Sequence, residues 1–547
     1  MKRLLPLLLA LVLTNLGWAA DTPAWWQVPT GPVYQVLVYS YADSDGNGTG
    51  DLQGLIHRLD AIQALGTTAL WLNPIHPASS YHGYDVTDYK AINPAFGTMD
   101  DFDALVKQAH ARGIHIILDM VFNHTSIGHP WFKAHPDWYV TKKDGVTYGS
   151  ASMGGWNRRS SDGAQYFGSF SGSMPDLDVT NPQVVAELQS ILKFWMDRGV
   201  DGFRFDAAMW IFNAGKEPQG LSVTAETKKW WNALRAYARS IKPDVYFIGE
   251  VYTEQSQELA AYAGGFDGLF DFVQAKMVRD MSPSGSVVTP SGQVTSLAKA
   301  LESNYKQYAR TPGFMISPFL SNHDQDRAMS VALSKFDAPA AWGSGANLND
   351  VDAITVAKTK AVTRYKDEAF LEYTLPGLPY VYYGEELGMV GQRYKNDDVA
   401  RRDAFPWGDD DPAGDTTSWM KSSAALQPDE NKGTTSWYDQ SSDPDSILNW
   451  YKSLGALKKA HPALHTIDYA VCDWTGANGG NLVSYFRTGG GEKVLATVNF
   501  GWTPAAFTPP AGTRLTPELA SGSAPAPAAG GSITLAAGQA VLWTVGQ

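Results

Sequence analysis

Along this chain, short apolar runs alternate with longer stretches in which apolar residues recur every three or four positions. The first pattern predicts strands and the second amphipathic helices. Val33–Tyr41 reads as a strand with a helix after it at Leu52–Leu65. Strand Ala69–Asn73 precedes a helix near Met99–Arg112, and Ile114–Phe122 reads as the third strand. The alternation returns with the strand Gly202–Asp206, a helix at about Ala225–Ile241, and strands at Tyr246–Ile248 and Gly268–Phe272. A helix near Val294–Tyr308, strand Met315–Leu320, helix Thr355–Thr374 and strand Tyr380–Tyr383 complete the series. Eight apolar strands, mostly alternating with helices, predict parallel pairing in an α/β fold, a closed (β/α)8 TIM barrel.

Two interruptions divide the chain further. Between His124 and about Thr180 the connection is far longer than an ordinary strand-to-helix loop, and it is rich in Gly, Ser and aromatic residues. It reads as a small inserted domain B over the barrel rim, ending at the helix cap Asn181-Pro182. Lys335–Asp352 and Asp409–Ser442 are polar and irregular, and read as surface or rim loops before a last helix at about Ile447–Ala460. Beyond Leu464 helical periodicity stops, and short strand runs separated by Gly and Pro clusters predict an antiparallel β-sandwich. The expected division is a signal peptide at 1–19, barrel at 20–124 and 181–462, inserted domain at 125–180, and carboxyl-terminal domain at 463–547.

Composition narrows the choice of partner. A charged fraction of 18% against 44% hydrophobic residues describes a globular chain. The formal net charge of -13 argues against nucleic acid, whose binding depends on neutralising phosphates with Lys and Arg. The 19 Trp and 25 Tyr supply flat faces with a polar edge, which suit sugar rings as well as core packing. Lys2 and Arg3, the apolar run Leu4–Leu13 and the small residues around Ala19 form a secretory signal, too short to span a bilayer comfortably. A secreted or periplasmic protein without a membrane anchor is therefore expected, as a monomer. The lone Cys472 rules out an internal disulfide framework.

The strand Gly202-Phe-Arg-Phe-Asp206 carries the first chemistry. Alternation sends Phe203 and Phe205 to one face and Arg204 and Asp206 to the other. A guanidinium there favours an ionised Asp206, which suits either a nucleophile or a buried structural ion pair. The other predicted strand ends carry Asp119, Asn123, His124, Glu250, His323 and Asp324. Like charges gathered on one rim contribute nothing to folding, and in a barrel that rim holds the active site. Two or three carboxylates with a positioned arginine suit glycoside cleavage. Asp206 would be the nucleophile. Glu250, without a basic neighbour in sequence, would be the proton donor, and Asp324 would stabilise developing positive charge. His124 and His323 would donate to sugar hydroxyls. Zinc is the competing use of the histidines, but no His-Glu-x-x-His spacing is present.

Asp43-Ser-Asp45-Gly-Asn47-Gly-Thr49-Gly-Asp51 places oxygen side chains at every second position. That spacing can wrap Ca²⁺, although Gly54 stands where an EF-hand has its Glu, and a plain Gly/Asp turn is the alternative.

These motifs, in this order, resemble the α-amylase family of glycoside hydrolases, the retaining clan acting on α-glucosidic bonds. The matching stretches are Asp119-Met-Val-Phe-Asn123-His124, Gly202–Asp206, Gly249-Glu250-Val251, Phe319-Leu-Ser-Asn322-His323-Asp324 and Met174-Pro-Asp176-Leu-Asp178. The last is similar to branches between oligo-1,6-glucosidases and neopullulanases. The resemblance implies the barrel, the inserted domain B and the β-sandwich. It also implies nucleophile Asp206, acid/base Glu250 and stabiliser Asp324, with Tyr84 stacking on the sugar and His124, Arg204 and His323 binding it. Asp119 joins that substrate-binding set. A second Ca²⁺ would use Asn123 and Asp176 with a carbonyl near Trp210. The family's α-amylases have a Lys-His pair where Met209 and Trp210 stand here, so the Lys contact beyond the scissile bond is missing. Tyr81 replaces an Asp with which oligo-1,6-glucosidases grip the chain end. An aromatic there could stack on a further sugar, which implies an open cleft and internal cutting of starch, glycogen or maltooligosaccharides. The alternatives are a glucanotransferase, neopullulanase-like or α-glucosidase activity. A non-catalytic sugar-binding relative, by contrast, would lose the acidic trio that this chain keeps.

Overall fold

Side chains along the barrel strands alternate between two apolar cores. Val33, Ala69, Trp71, Ile117, Tyr246 and Ile248 point inward, while Tyr34, Leu70, Leu118, Phe203, Phe205 and Phe247 face the surrounding helices. The strands are β1 (Val33–Val36), β2 (Ala69–Leu72), β3 (His115–Met120), β4 (Gly202–Phe205), β5 (Tyr246–Gly249), β6 (Gly268–Phe270), β7 (Met315–Ser317) and β8 (Tyr380–Tyr382). They pair in parallel in the order β7-β6-β5-β4-β3-β2-β1-β8, and a parallel bridge between Phe319 and Tyr380 joins the two ends. This is the expected barrel, seen in a computed structural model that describes residues 23–546. Residues 152, 283–284, 290–291, 337–350, 394–397, 409–410, 412, 419–433 and 527–530 are not among those described. The signal peptide, most of Lys335–Asp352 and part of Asp409–Ser442 thus lie outside the described residues.

Trp26 closes the amino-terminal mouth of the barrel. It is 2% exposed and belongs to the inner core, while Trp25 stacks on His115 with ring centroids 4.4 Å apart. Two predicted elements are corrected. β1 ends at Val36, and Val38–Tyr41 turns helical, because Tyr41 packs on Phe405 and Trp407 rather than extending the sheet. The helix expected over Leu52–Leu65 breaks at Arg58 into Leu52–His57 and Leu59–Ala64. Arg58 leaves the helical path to lie 4.0 Å over Trp407 and to pair with Asp411 and Asp415.

Between β3 and β4 the chain forms an antiparallel hairpin, Gly155–Arg158 against Gln165–Gly168. A bridge between His124 and Asp176 ties this segment back to the end of β3. At the carboxyl end, β9 (Tyr469–Val471), β10 (Leu482–Gly489), β11 (Glu492–Asn499), β12 (Ala505–Phe507), β13 (Arg514–Ala520), β14 (Ile533–Leu535) and β15 (Gln539–Gly546) follow. They form an antiparallel sheet in the order β9-β10-β11-β15-β13, with β12 and β14 paired separately. The two-residue period explains how this domain docks. Val494, Ala496, Val498, Ala540 and Leu542 join the main core, whereas Leu495, Val541 and Trp543 face a core of their own.

Candidate active site

β4 sends Arg204 inward at the carboxyl-terminal rim because Phe203 and Phe205 are committed to the outer core. Phe205 lies 4.5 Å from Trp231, centroid to centroid. Gly202 is required one layer below, where a Cβ would meet the Tyr246 carbonyl oxygen at 2.9 Å. Arg204 is 1% exposed and meets three carboxylates at once. Nη1 donates to Asp119 Oδ1 at 2.9 Å and Asp206 Oδ1 at 2.8 Å, and Nη2 lies 3.0 Å from Glu250 Oε2. One guanidinium thus gathers the ends of β3, β4 and β5. Sequence adjacency misled on Glu250: its basic partner comes from the neighbouring strand.

Burial raises the proton affinity of these carboxyls. It pushes Glu250 up to about 7 against the pull of Arg204, with Asp206 and Asp324 adding to the rise. Asp206 is not simply held ionised by Arg204, as the sequence suggests, since burial and Asp119 raise it to about 6. Asp119 is likewise raised to about 6 by burial. Burial thus raises the proton affinity of all three carboxyls gathered on Arg204, so this site can hold a proton near neutral pH, as a general acid requires.

The backbone strengthens this arrangement. Ala207 is the only non-glycine residue with positive φ, at 50°, among the described residues. That strained turn aims the Ala207 N–H at Glu250 Oε2, 3.0 Å away.

His323 and Tyr84 form the adjoining wall. Gln35 Nε2 donates to His323 Nδ1 at 2.9 Å, which leaves the proton on Nε2. That proton faces the Tyr84 hydroxyl at 2.6 Å and Asp324 Oδ2 at 3.0 Å. Burial lowers the His323 pKa and favours the neutral ring. The Tyr84 hydroxyl donates to Asp119 Oδ2 at 2.9 Å and accepts from Asn73 Nδ2 at 3.0 Å. Asp119 is 1% exposed, its oxygens used by Arg204, Tyr84 and Trp71, so it braces the wall from behind. His124 is also 1% exposed, and its Nε2 lies 3.1 Å from the Tyr84 carbonyl oxygen. It holds the backbone of Tyr84, and Phe170 lies against its ring at 5.1 Å.

Asp324 is the open member of the trio, with 44% of its side chain exposed. Its surroundings disfavour the charge, but His323, Arg402 and Arg204 outweigh that and hold it well below the usual carboxylate range. Arg402 escaped sequence reading, being one of a pair of arginines in an irregular stretch after β8. Its Nη2 donates to Asp324 Oδ1 at 2.9 Å and its Nη1 to the Tyr81 hydroxyl at 3.0 Å. Tyr81 is thereby fixed at the rim as an aromatic wall. Exchanging Arg402 for Lys would remove the fork that holds both partners, and a loss of kcat with altered KM is the expected kinetic outcome.

The second cation site expected at Asn123 and Asp176 is corrected. Lys216 Nζ sits there, 3.0 Å from Asn123 Oδ1 and 2.8 Å from Asp176 Oδ2, with the Lys216 and Asp176 side chains at most 1% exposed. An ammonium provides the positive charge where a metal was expected. Lys216 lies in an irregular segment after β4, with no pattern in sequence to point to it.

The Asp43–Asp51 loop is different. Carboxylate oxygens of Asp43, Asp45 and Asp51 lie within 4.8 Å of one another, and Asp43 and Asp51 are buried. No Lys or Arg pairs with any of the three among the described residues. Asn47 and Thr49 fold the loop: Asn47 N and Nδ2 donate to Asp45, and Thr49 N donates to Asn47 Oδ1. A donor set made of gathered carboxylates without a counter-charge fits a hard divalent cation. No helix among the described residues is long and apolar enough to cross a membrane.

Known proteins share both the sequence and the architecture. Residues 35–466 match the family described as Alpha amylase, catalytic domain. Alpha-amylase 3 of Dictyoglomus thermophilum is 35% identical over 438 residues, covering 77% of this chain and 75% of that protein. Oligo-1,6-glucosidase of Parageobacillus thermoglucosidasius is 28% identical over 89% of this chain and 92% of its own. The crystal structure of the alpha-amylase from H. orenii superposes with a TM-score of 0.77 at 31% identity, over 94% of this chain and 99% of that one. With the rim carboxylates gathered on Arg204 and a matched region spanning most of the chain, the conclusion is direct: this chain belongs to the α-amylase family of glycoside hydrolases.

Proposed function

We propose that this glycoside hydrolase is an exported, endo-acting α-amylase that cleaves α-1,4-glucosidic bonds in starch, glycogen or maltooligosaccharides with retention. The observation that carries the chemistry is the convergence of Asp206 and Glu250 on one guanidinium, in a pocket whose burial raises the proton affinity of Glu250. Asp206 attacks the anomeric carbon while Glu250 gives its proton to the departing glycosidic oxygen. The Glu250 carboxylate then takes a proton from water as that water attacks the same carbon, and Asp206 is released. Asp324, kept ionised by Arg402 and His323, stabilises the positive charge that develops on the ring. Tyr84, braced by Asp119 and His124, forms the face against which the sugar lies.

Internal cutting is supported by the open rim. Tyr81 stands where a carboxylate would grip a chain end, and Arg402 holds its hydroxyl. Phe170 and Tyr252 are the exposed aromatic residues among those described, at 43% and 59%. Phe170 adjoins His124, and Tyr252 adjoins Glu250, so aromatic surface extends to both sides of the scissile bond. The Asp43–Asp51 loop would hold a structural Ca²⁺, whose charge would offset the three carboxylates and stiffen the rim below β1. Residues 1–19 support export, and a single subunit supplies the whole site.

A timed product profile on amylose, pullulan and maltotriose tests this reading. Early release of mixed maltooligosaccharides is expected from amylose, whereas glucose alone would indicate attack from chain ends and longer chains would indicate transfer. Addition of a chelator should lower the melting temperature by several degrees, since saturating cation at a hundred times its dissociation constant contributes about 2.7 kcal/mol. The pH profile follows from the site. Catalysis needs Asp206 ionised, which is lost as pH falls through about 6, and Glu250 protonated, which is lost as pH rises through about 7. A bell-shaped kcat/KM with its maximum between these limbs is expected.

A further inference from the structure

Alternation along β1 sends Val33 and Gln35 toward the barrel axis, and Gln35 is the polar one of the two, 2% exposed. A buried amide costs free energy unless its groups are hydrogen-bonded. Gln35 Nε2 spends one proton on Asn73 Oδ1 and the other on His323 Nδ1, both at 2.9 Å. Asn73, which follows β2 and is buried, donates in turn from Nδ2 to the Tyr84 hydroxyl at 3.0 Å. His323 reaches the same hydroxyl from Nε2 at 2.6 Å. The four side chains therefore close a ring of hydrogen bonds, running from Gln35 by two routes to one oxygen. Within it the Tyr84 and His323 rings lie almost parallel, at 8°. Only one donor direction satisfies this ring. With the Gln35 amide turned over, its oxygen would accept from His323 Nδ1 and from Asn73. His323 Nε2 and Asn73 Oδ1 would then both be acceptors facing the Tyr84 hydroxyl, whose single proton already meets Asp119 Oδ2 at 2.9 Å. Two of those three contacts would set lone pair against lone pair. A further such clash would arise between His323 Nε2 and Asp324 Oδ2, 3.0 Å apart.

We infer that Gln35 is a positioning residue for the reaction: its two amide protons fix the donor direction of the whole ring, and with it the His323 proton that faces Asp324 and the placement of the Tyr84 hydroxyl. Gln35 acts through His323 and Asn73 and not by contact with the reacting carbon. In the direction it imposes, the Tyr84 oxygen accepts twice and keeps its own proton for Asp119. Asp324 then has a donor at each oxygen, His323 at Oδ2 and Arg402 at Oδ1. Without the Gln35 donors the reversed ring becomes accessible, a lone pair faces Asp324, and the carboxylate loses one of the two donors that keep it ionised. That loss is felt most where positive charge develops on the sugar, so it falls on kcat rather than on KM. The inference rests on the roles proposed for Asp324 and Tyr84, because Gln35 works through both.

Two measurements test this. In wild-type enzyme carrying nitrogen-15 histidine, NMR at neutral pH should show His323 as a neutral ring protonated at Nε2 and bare at Nδ1, its signals assigned by their loss in His323→Gln. A proton on Nδ1, in a neutral or a charged ring, would overturn the inference, and this result does not depend on any Gln35 variant folding. The second measurement is kinetic. Gln35→Met keeps the volume without the donors, and should lower kcat on maltotetraose about tenfold per folded molecule, with KM changed less than about twofold and the folded fraction read from thermal melts. In a Tyr84→Phe background, which has no hydroxyl to orient, the same substitution should cost at least about threefold less. Equal costs in the two backgrounds would show that Gln35 only packs, and would overturn the inference as well. Wild-type enzyme that cleaves no maltooligosaccharide would instead defeat the underlying proposal of function, while leaving the tautomer of His323 as measured.

Discussion

Glu250→Gln is expected to lower kcat on maltooligosaccharides by about 10²–10⁴-fold, the usual contribution of a positioned general acid. The substitution keeps the side chain's shape and a partner for the Ala207 N–H but removes the transferable proton. The substrate dependence of the loss distinguishes this role from a structural one. Fluoride leaves without needing a proton, so formation of the covalent intermediate from α-glucosyl fluoride should suffer much less than cleavage of maltotetraose. Asp206→Asn should abolish turnover of both, since no leaving group compensates for a missing nucleophile. The limb of the pH profile at about 7 should also disappear in Glu250→Gln, because burial of that carboxyl is its source. Turnover of maltotetraose at the wild-type rate would show that another group delivers the proton.

Lys216→Met should destabilise the protein by about 3–5 kcal/mol, the cost of breaking a buried ion pair from one side. The methionine fills the space but leaves Asp176 charged in a pocket where 0% of its side chain is exposed. Ser169 would still donate to both Asp176 oxygens, through its N–H at 2.9 Å and its hydroxyl at 2.6 Å, but no cation would remain. Adding Asp176→Asn to Lys216→Met should recover much of the loss, because the amide keeps polar contacts without the unpaired charge. Thermal melts of the single and double variants measure this directly. Equal destabilisation in both would place the cost elsewhere. Activity should fall with stability, since the bridge from Asp176 to His124 couples the hairpin segment to the residue that holds Tyr84.

Lys216 also shows where one-dimensional reading stops. Asn123 and Asp176 were legible as a facing pair of oxygen donors, but the nature of the cation between them was not. A lysine in an irregular segment has no periodicity to mark it, and only the folded path of residues 211–222 brings its ammonium there. Arg402 is a similar case. It follows β8 at the far end of the barrel in sequence, yet it grips Asp324, which follows β7, and Tyr81, which follows β2. Closure of the barrel makes these neighbours.

By itself the sequence determined the barrel, the sheet domain and the identities of the rim carboxylates. Those follow from alternation, because a two-residue period commits Phe203 and Phe205 outward and leaves Arg204 no face but the inner one. It could not determine which carboxylates would share Arg204, nor that burial would raise Asp206 despite that partner. Proton affinity depends on desolvation and on charges a few ångströms away, and those charges come from strands far apart in the chain. Tertiary structure decided which charges share one guanidinium, and that an ammonium and not a metal sits between Asn123 and Asp176.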